Sequence, residues 1–156
     1  MADPQSKSVG GSDAVWAGAA VVVAVAAIGA MVWRREILAT TAWAVVLQVL
    51  AGALMIWARL TFGFRSLHMG PEPTPGGLVT TGPFRFLRHP LYASMLWWVW
   101  AATASHISWI GTVLASLVTA SFWFRMLAEE RELLLAFPET YPDYMRRTRR
   151  VIPFVI

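Results

Sequence analysis

The sequence predicts an all-α integral membrane protein with about four transmembrane helices, and three observations carry that prediction. Hydrophobic residues make up 57% of the 156 positions and charged ones only 14%, where a soluble domain carries about 25% charged. Mean hydropathy is +0.54. The apolar residues fall into uncharged runs of about 20 residues, the length a helix needs to cross a bilayer. Twelve of the thirteen basic residues are arginines, and they cluster between those runs. Such a composition excludes a disordered chain and disfavours an ordinary soluble enzyme.

Met1–Asp13 is small and polar with nothing to bury, and reads as a disordered lead-in. Ala14–Trp33 is the first span. A signal peptide is the rival reading there, with small residues around Ala26, but its apolar region would be only ~7–15 residues and a second span follows at once. Arg34-Arg35-Glu36 breaks the run, and Ile37–Ala58 is a second span interrupted only by Gln48, so the two are expected to form an antiparallel hairpin. Leu60–Leu67 mixes aromatics with Arg65 as an interfacial segment does, and Gly70–Gly77 is a proline-rich loop.

The third span starts at Pro90, where a first-turn proline costs no hydrogen bond, and ends near Ser105. After the turn His106-Ile107-Ser108, the fourth runs from Trp109 to near Pro138. That is about 42 Å of helix against a hydrocarbon core of about 30 Å, so its last turns project from the membrane. The chain therefore divides into a tail (1–13), a transmembrane hairpin (14–58), an interfacial segment with loop and first motif (59–89), and a second transmembrane hairpin with a C-terminal motif and lid (90–156). Four spans put both termini on the side holding every basic residue except Arg34 and Arg35, which makes that side cytoplasmic. The tryptophans Trp97, Trp98, Trp100 and Trp109 at the far end read as an interfacial belt.

Candidate chemistry collects on the arginine-rich side. Arg88, His89 and Tyr92 stand at the entrance to the third span, and Arg125, Glu129 and Glu130 at the exit of the fourth. Ionisable groups at that depth are costly unless paired or functional, and a plain arginine–glutamate latch between helix ends is one reading. Arg125 and Glu129 lie four apart and can pair on one helix face, while the adjacent Glu130 needs a cation or ligand hydroxyls. Pro90 holds His89 extended, aiming side chains and free backbone amides from a helix N-terminus that favours an anionic group. His68 and His106 read as surface residues. Without cysteine there is no disulfide, thiolate site or thiol nucleophile. No histidine pair has metal-ligand spacing, no phosphate-binding loop occurs, and no metal or nucleic-acid partner is expected.

The run Leu78-Val79-Thr80-Thr81-Gly82-Pro83-Phe84-Arg85-Phe86-Leu87-Arg88-His89-Pro90-Leu91-Tyr92 resembles the signature of the isoprenylcysteine carboxyl methyltransferases and phospholipid methyltransferases. So do Arg125, Glu129-Glu130, Phe137–Tyr144 and the closing Ile152-Pro153, and together these cover roughly the last 75 residues. The resemblance implies S-adenosylmethionine as cofactor, bound in a cytoplasmic C-terminal segment. Arg88, His89, Tyr92, Glu129, Glu130, Tyr141 and Tyr144 would contact it, Arg88, Arg125 and Glu130 would act in catalysis, and Tyr141 and Tyr144 would close a lid. The methyl acceptor would be a membrane lipid, an isoprenylcysteine-type carboxylate or a small apolar nucleophile entering from the bilayer of a bacterial-type membrane or endomembrane. The chain departs from the family at Ser94, where glycine is frequent, at Phe137-Pro138 instead of Phe-Gly, and at Arg149-Arg150-Val151 instead of a Val-Pro pair. An NADPH-dependent sterol-type reductase shares a similar Arg-His and Tyr-x-x-Tyr layout, but it favours an asparagine that this chain lacks. A lipid-binding scaffold is the third class, and it would not need the Glu129-Glu130 pair.

Overall fold

Helix dominates because uncharged alanine, valine and leucine runs leave the backbone to satisfy itself. The computed structural model describes residues 11–63 and 78–152, and among these the regular structure is five α-helices and a 3-10 turn. They are α1 (Gly11–Trp33), α2 (Ala42–Phe62), the 3-10 turn Gly82–Arg85, α3 (Pro90–His106), α4 (Trp109–Ala136) and α5 (Tyr141–Arg147). The N-terminal residues of the expected lead-in, Arg65, His68, the Gly70–Gly77 loop and Pro153 lie outside the described residues.

Three helices, at Val15–Trp33, Ala42–Phe62 and Trp109–Ala136, are long and apolar enough to cross a membrane. The expected third span, α3, has 17 residues and rises only about 26 Å. Outward faces carry Val22, Val25, Val46, Val49 and Phe124 exposed, a surface suited to lipid rather than water. The protein is an integral membrane protein.

The second span begins later and ends later than the sequence suggests. Ile37–Thr41 stays outside the helix because Gln48 reaches back from α2 to satisfy its backbone. The Ala39 amide donates to Gln48 Oε1 (3.0 Å), and Gln48 Nε2 donates to the carbonyls of Ile37 (2.9 Å) and Trp98 (3.2 Å). Trp98 braces the same connector, its indole donating to the Ile37 carbonyl (3.0 Å). The connector also meets the α3–α4 turn: the Thr40 amide donates to Ser105 Oγ (3.2 Å), and His106 Nε2 lies 2.8 Å from the Leu38 carbonyl. At its other end α2 runs through Arg59 to Phe62 and stops at Gly63, whose φ is 63°, so Leu60–Phe62 belongs to the helix.

Packing corrects the expected first hairpin. α2 packs on α3, α3 on α4, and α1 on α4 rather than on α2. Small residues allow the close approach: Ala24 and Ala27 are buried on α1 beside Met31, and Ala44, Ala51 and Ala58 on α2 beside Gln48. The long 34–41 connector is what lets α1 reach α4. Its Glu36 sits at the start of that helix, where a Cβ on Gly111 would meet Glu36 Oε2 at 3.1 Å. Arg34 donates to Glu36 Oε1 (2.7 Å) and holds this carboxyl below its ordinary range.

The two ends of the bundle thus differ as the arginine distribution suggests. Arg34 and Arg35 accompany the 34–41 connector and the 106–108 turn, while the remaining described arginines lie at the other end or beyond it. There, Gly82 (φ 57°) presses the 3-10 turn against α2, since a Cβ would come within 2.5 Å of Thr61 Oγ1. That contact fixes where the chain enters Arg88 and His89.

Gln48→Leu is expected to lower the thermal midpoint in detergent. It strands the Ala39 amide and weakens two carbonyl contacts, a cost of about 1–3 kcal/mol. An unchanged midpoint would show that water satisfies the connector instead.

Candidate functional site

Three segments far apart in sequence meet at the arginine-rich end: residues 86–92, the last turns of α4, and residues 141–150. The first and last pair directly through an isolated parallel bridge between Leu87 and Arg149. The Arg88 amide donates to the Arg149 carbonyl (2.7 Å), the His89 amide to the Arg150 carbonyl (3.2 Å), and the Arg149 amide to the Phe86 carbonyl (3.0 Å). This overturns one expectation. The amides of Arg88 and His89 are not free for an anion, because the C-terminal segment has taken them. His89, expected to be extended before Pro90, is non-helical but falls short of extended, with φ −126° and ψ 58°.

Glu130 lies at the junction with its side chain 5% exposed. Arg88 Nε donates to Oε1 at 2.6 Å, and His89 Nε2 lies 3.3 Å from the same oxygen. Arg150 grips the carboxylate with two nitrogens, Nε at 3.0 Å from Oε1 and Nη2 at 2.7 Å from Oε2. Arg88 also donates through Nη1 to the Thr148 carbonyl (2.7 Å). Desolvating so many charges is tolerable only because each is met by an opposite charge or a carbonyl. Arg88 and Glu130 together fasten α4 to both flanking segments.

Glu129, one residue away, faces differently. Tyr92 Oη donates to Glu129 Oε1 (2.5 Å), and Arg125 Nε donates to Tyr92 Oη (2.9 Å). Arg125 Nε also lies 3.5 Å from Glu129 Oε1, the four-residue pairing the sequence suggests. Among the described residues, Glu129 Oε2 has only His89 Nδ1 near it, at 3.7 Å, and the side chain is 24% exposed. Of the two carboxylates, Glu129 keeps an acceptor oxygen open. The Tyr92 ring packs on His89 and Phe122.

Tyr141 and Tyr144, expected both to contact the cofactor and to close a lid, occupy α5. Tyr144 donates to the Phe84 carbonyl (2.7 Å) and ties α5 to the 3-10 turn. Tyr141 is fully buried, yet its hydroxyl has no hydrogen-bond partner among the described residues. Burial, and then the Glu130 charge, push this phenol above its ordinary range, so it stays protonated and available as a donor. A buried orphan donor of this kind calls for a partner.

Every candidate residue named from sequence comes to this one end. The hairpin of α3 and α4 brings the two charged clusters to the same depth, as their spacing predicts. Sequence reasoning missed Arg150, whose guanidinium lies over the Trp123 ring (5.0 Å) as well as on Glu130. Only the pairing of residues 86–89 with 148–150 brings it there, and no local pattern announces that pairing. His106 is remote, in the opposite turn. No group of three or more metal-ligating side chains occurs among the described residues.

The model of the phospholipid methyltransferase family matches residues 39–139. Methanethiol S-methyltransferase 1 of Bradyrhizobium diazoefficiens is 32% identical over 89 residues, covering 55% of this chain and 30% of its own. Methanethiol S-methyltransferase of Crocosphaera subtropica is 29% identical over 100 residues, covering 60% and 37%. The chain thus spans about a third of the length of these curated relatives. No solved structure matches.

Proposed function

We propose that this chain, which belongs to the phospholipid methyltransferase family, is a membrane methyltransferase that uses S-adenosylmethionine to methylate a small apolar or lipidic nucleophile taken from the bilayer. The observation that carries this reading is the buried Tyr141 hydroxyl, without a hydrogen-bond partner among the described residues, beside a cluster in which three described arginines outnumber two glutamates. One net positive charge and an orphan donor fit a ligand with a carboxylate and several hydroxyls. They fit it better than they fit an apolar core.

Bound there, S-adenosylmethionine would supply a methyl group on a sulfonium centre. The residues that would hold it are Tyr141 as donor, Glu129 as acceptor for ribose hydroxyls or an ammonium, and an arginine for the carboxylate. Tyr92 and Phe122 provide aromatic faces near that charge. Arg88, Glu130 and Tyr144 act one step back, holding the three segments in register. Methyl transfer needs alignment and exclusion of water more than covalent help, and a closed frame of salt bridges provides both. We place this end of the bundle on the cytoplasmic side, where arginine is favoured.

For the acceptor, the curated relatives are named for a thiol, which favours a small thiol over a phospholipid amine or an isoprenylcysteine carboxylate. The test is to incubate the detergent-purified protein with methyl-labelled S-adenosylmethionine and, separately, an alkanethiol, an aminophospholipid and a prenylcysteine analogue. Labelled thioether is expected. Label only in lipid would move the acceptor to the headgroup. Absence of product, together with binding of NADPH rather than S-adenosylhomocysteine in calorimetry, would move the protein to the reductases.

A further inference from the structure

We infer that Arg150, a residue outside the sequence-derived candidates, is the arginine that binds the carboxylate of the amino-acid-type ligand. The inference rests on the methyltransferase reading above and assigns one contact within that site.

Arg88 is turned inward. Its side chain is 11% exposed, Nε is engaged by Glu130, and Nη1 by the Thr148 carbonyl. A ligand could recruit those nitrogens only by breaking the frame. Arg150 has a different geometry. Its Nε and Nη2 hold Glu130, and its side chain is 23% exposed. Nη1 has no partner among the described residues, apart from the guanidinium's position over Trp123. A guanidinium has five donors in a fixed fork, so an arginine anchored through one edge can present the other without reorganising. The Glu130 grip and the Trp123 ring orient that free edge beforehand, which limits the ordering cost of binding. Arg150 also sits beside His89, since its carbonyl accepts the His89 amide. The Glu130 oxygen that its Nε holds also lies 3.3 Å from His89 Nε2, and His89 Nδ1 lies 3.7 Å from Glu129 Oε2, so the guanidinium, His89 and Glu129 share one corner.

Calorimetry on the full chain in detergent or lipid discs tests this with two ligands, S-adenosylhomocysteine and its decarboxylated analogue. The wild-type protein is expected to prefer the carboxylate-bearing ligand by about 10–100-fold, the range for a hydrogen bond to a charged group. Arg150→Met is expected to erase that preference while leaving the affinity for the decarboxylated ligand in place. Because Arg150 also supports Glu130, Arg150→Lys serves as the second variant. It keeps the charge but not the fork, so it should fold and retain only part of the preference. Equal weakening of both ligands by these variants would make Arg150 structural and overturn the assignment. So would loss of the preference in Arg125→Met with Arg150→Met unaffected. If the wild-type chain binds neither ligand, the methyltransferase reading falls and takes this inference with it.

Discussion

Glu130→Gln is expected to destabilise the arginine-rich end of the bundle by about 3–5 kcal/mol, the usual cost of removing one member of a buried ion pair. The magnitude follows from what would be left behind. Arg88 and Arg150 both lie within 3.0 Å of the Glu130 carboxylate, His89 Nε2 lies 3.3 Å away, and the side chain is almost completely buried. A neutral amide meets one of these donors with its oxygen and confronts another with its own NH2. The parallel bridge between Leu87 and Arg149 depends on the same frame, so S-adenosylhomocysteine binding should fail together with the fold of this end. Thermal unfolding in detergent, read beside calorimetry, checks this. A wild-type midpoint with binding alone lost would make Glu130 a ligand contact and not a fastener.

The sequence makes the meeting of Arg88 with Glu130 and of Tyr92 with Glu129 legible because a three-residue turn leaves α3 and α4 no alternative to antiparallel packing. The helix stop before Pro138 and the projection of α4 beyond a bilayer's thickness are equally local deductions. What escapes is everything carried by contacts distant along the chain. Gln48 reads as an interruption of an apolar run, whereas it satisfies the backbone of an unwound connector eleven residues upstream. α1 carries no residue that distinguishes α4 from α2 as its neighbour, since alanine stripes fit many partners. The amides of Arg88 and His89 look free until the C-terminal segment covers them. Arg150 lies in a run of arginines that charge counting assigns to the membrane surface. Family resemblance supplies the chemistry, but only the three-dimensional frame separates residues that hold the site from residues that face a ligand.

That separation is sharpest between two neighbours in sequence. Glu129→Gln is expected to leave the stability within about 1 kcal/mol of wild type, because its ion pair with Arg125 is long, at 3.5 Å, and partly exposed. It is nevertheless expected to weaken S-adenosylhomocysteine by about 10–100-fold, the cost of a lost hydrogen bond to a charged group. The reason is partnership. Glu129 Oε1 accepts from Tyr92, a bond glutamine can keep through its carbonyl oxygen. Among the described residues Oε2 meets no donor closer than His89 Nδ1 at 3.7 Å, so converting it to an amide nitrogen strands little there. For a ligand hydroxyl or ammonium the same change replaces an acceptor with a donor. Tyr92→Phe should be milder, because it frees Oε1 without changing Oε2. If instead Glu129→Gln lowers the midpoint as far as Glu130→Gln does, both carboxylates are fasteners, and the ligand must find its acceptors elsewhere in the frame. If it alters neither midpoint nor affinity, Glu129 faces solvent, and the open oxygen has no function in binding.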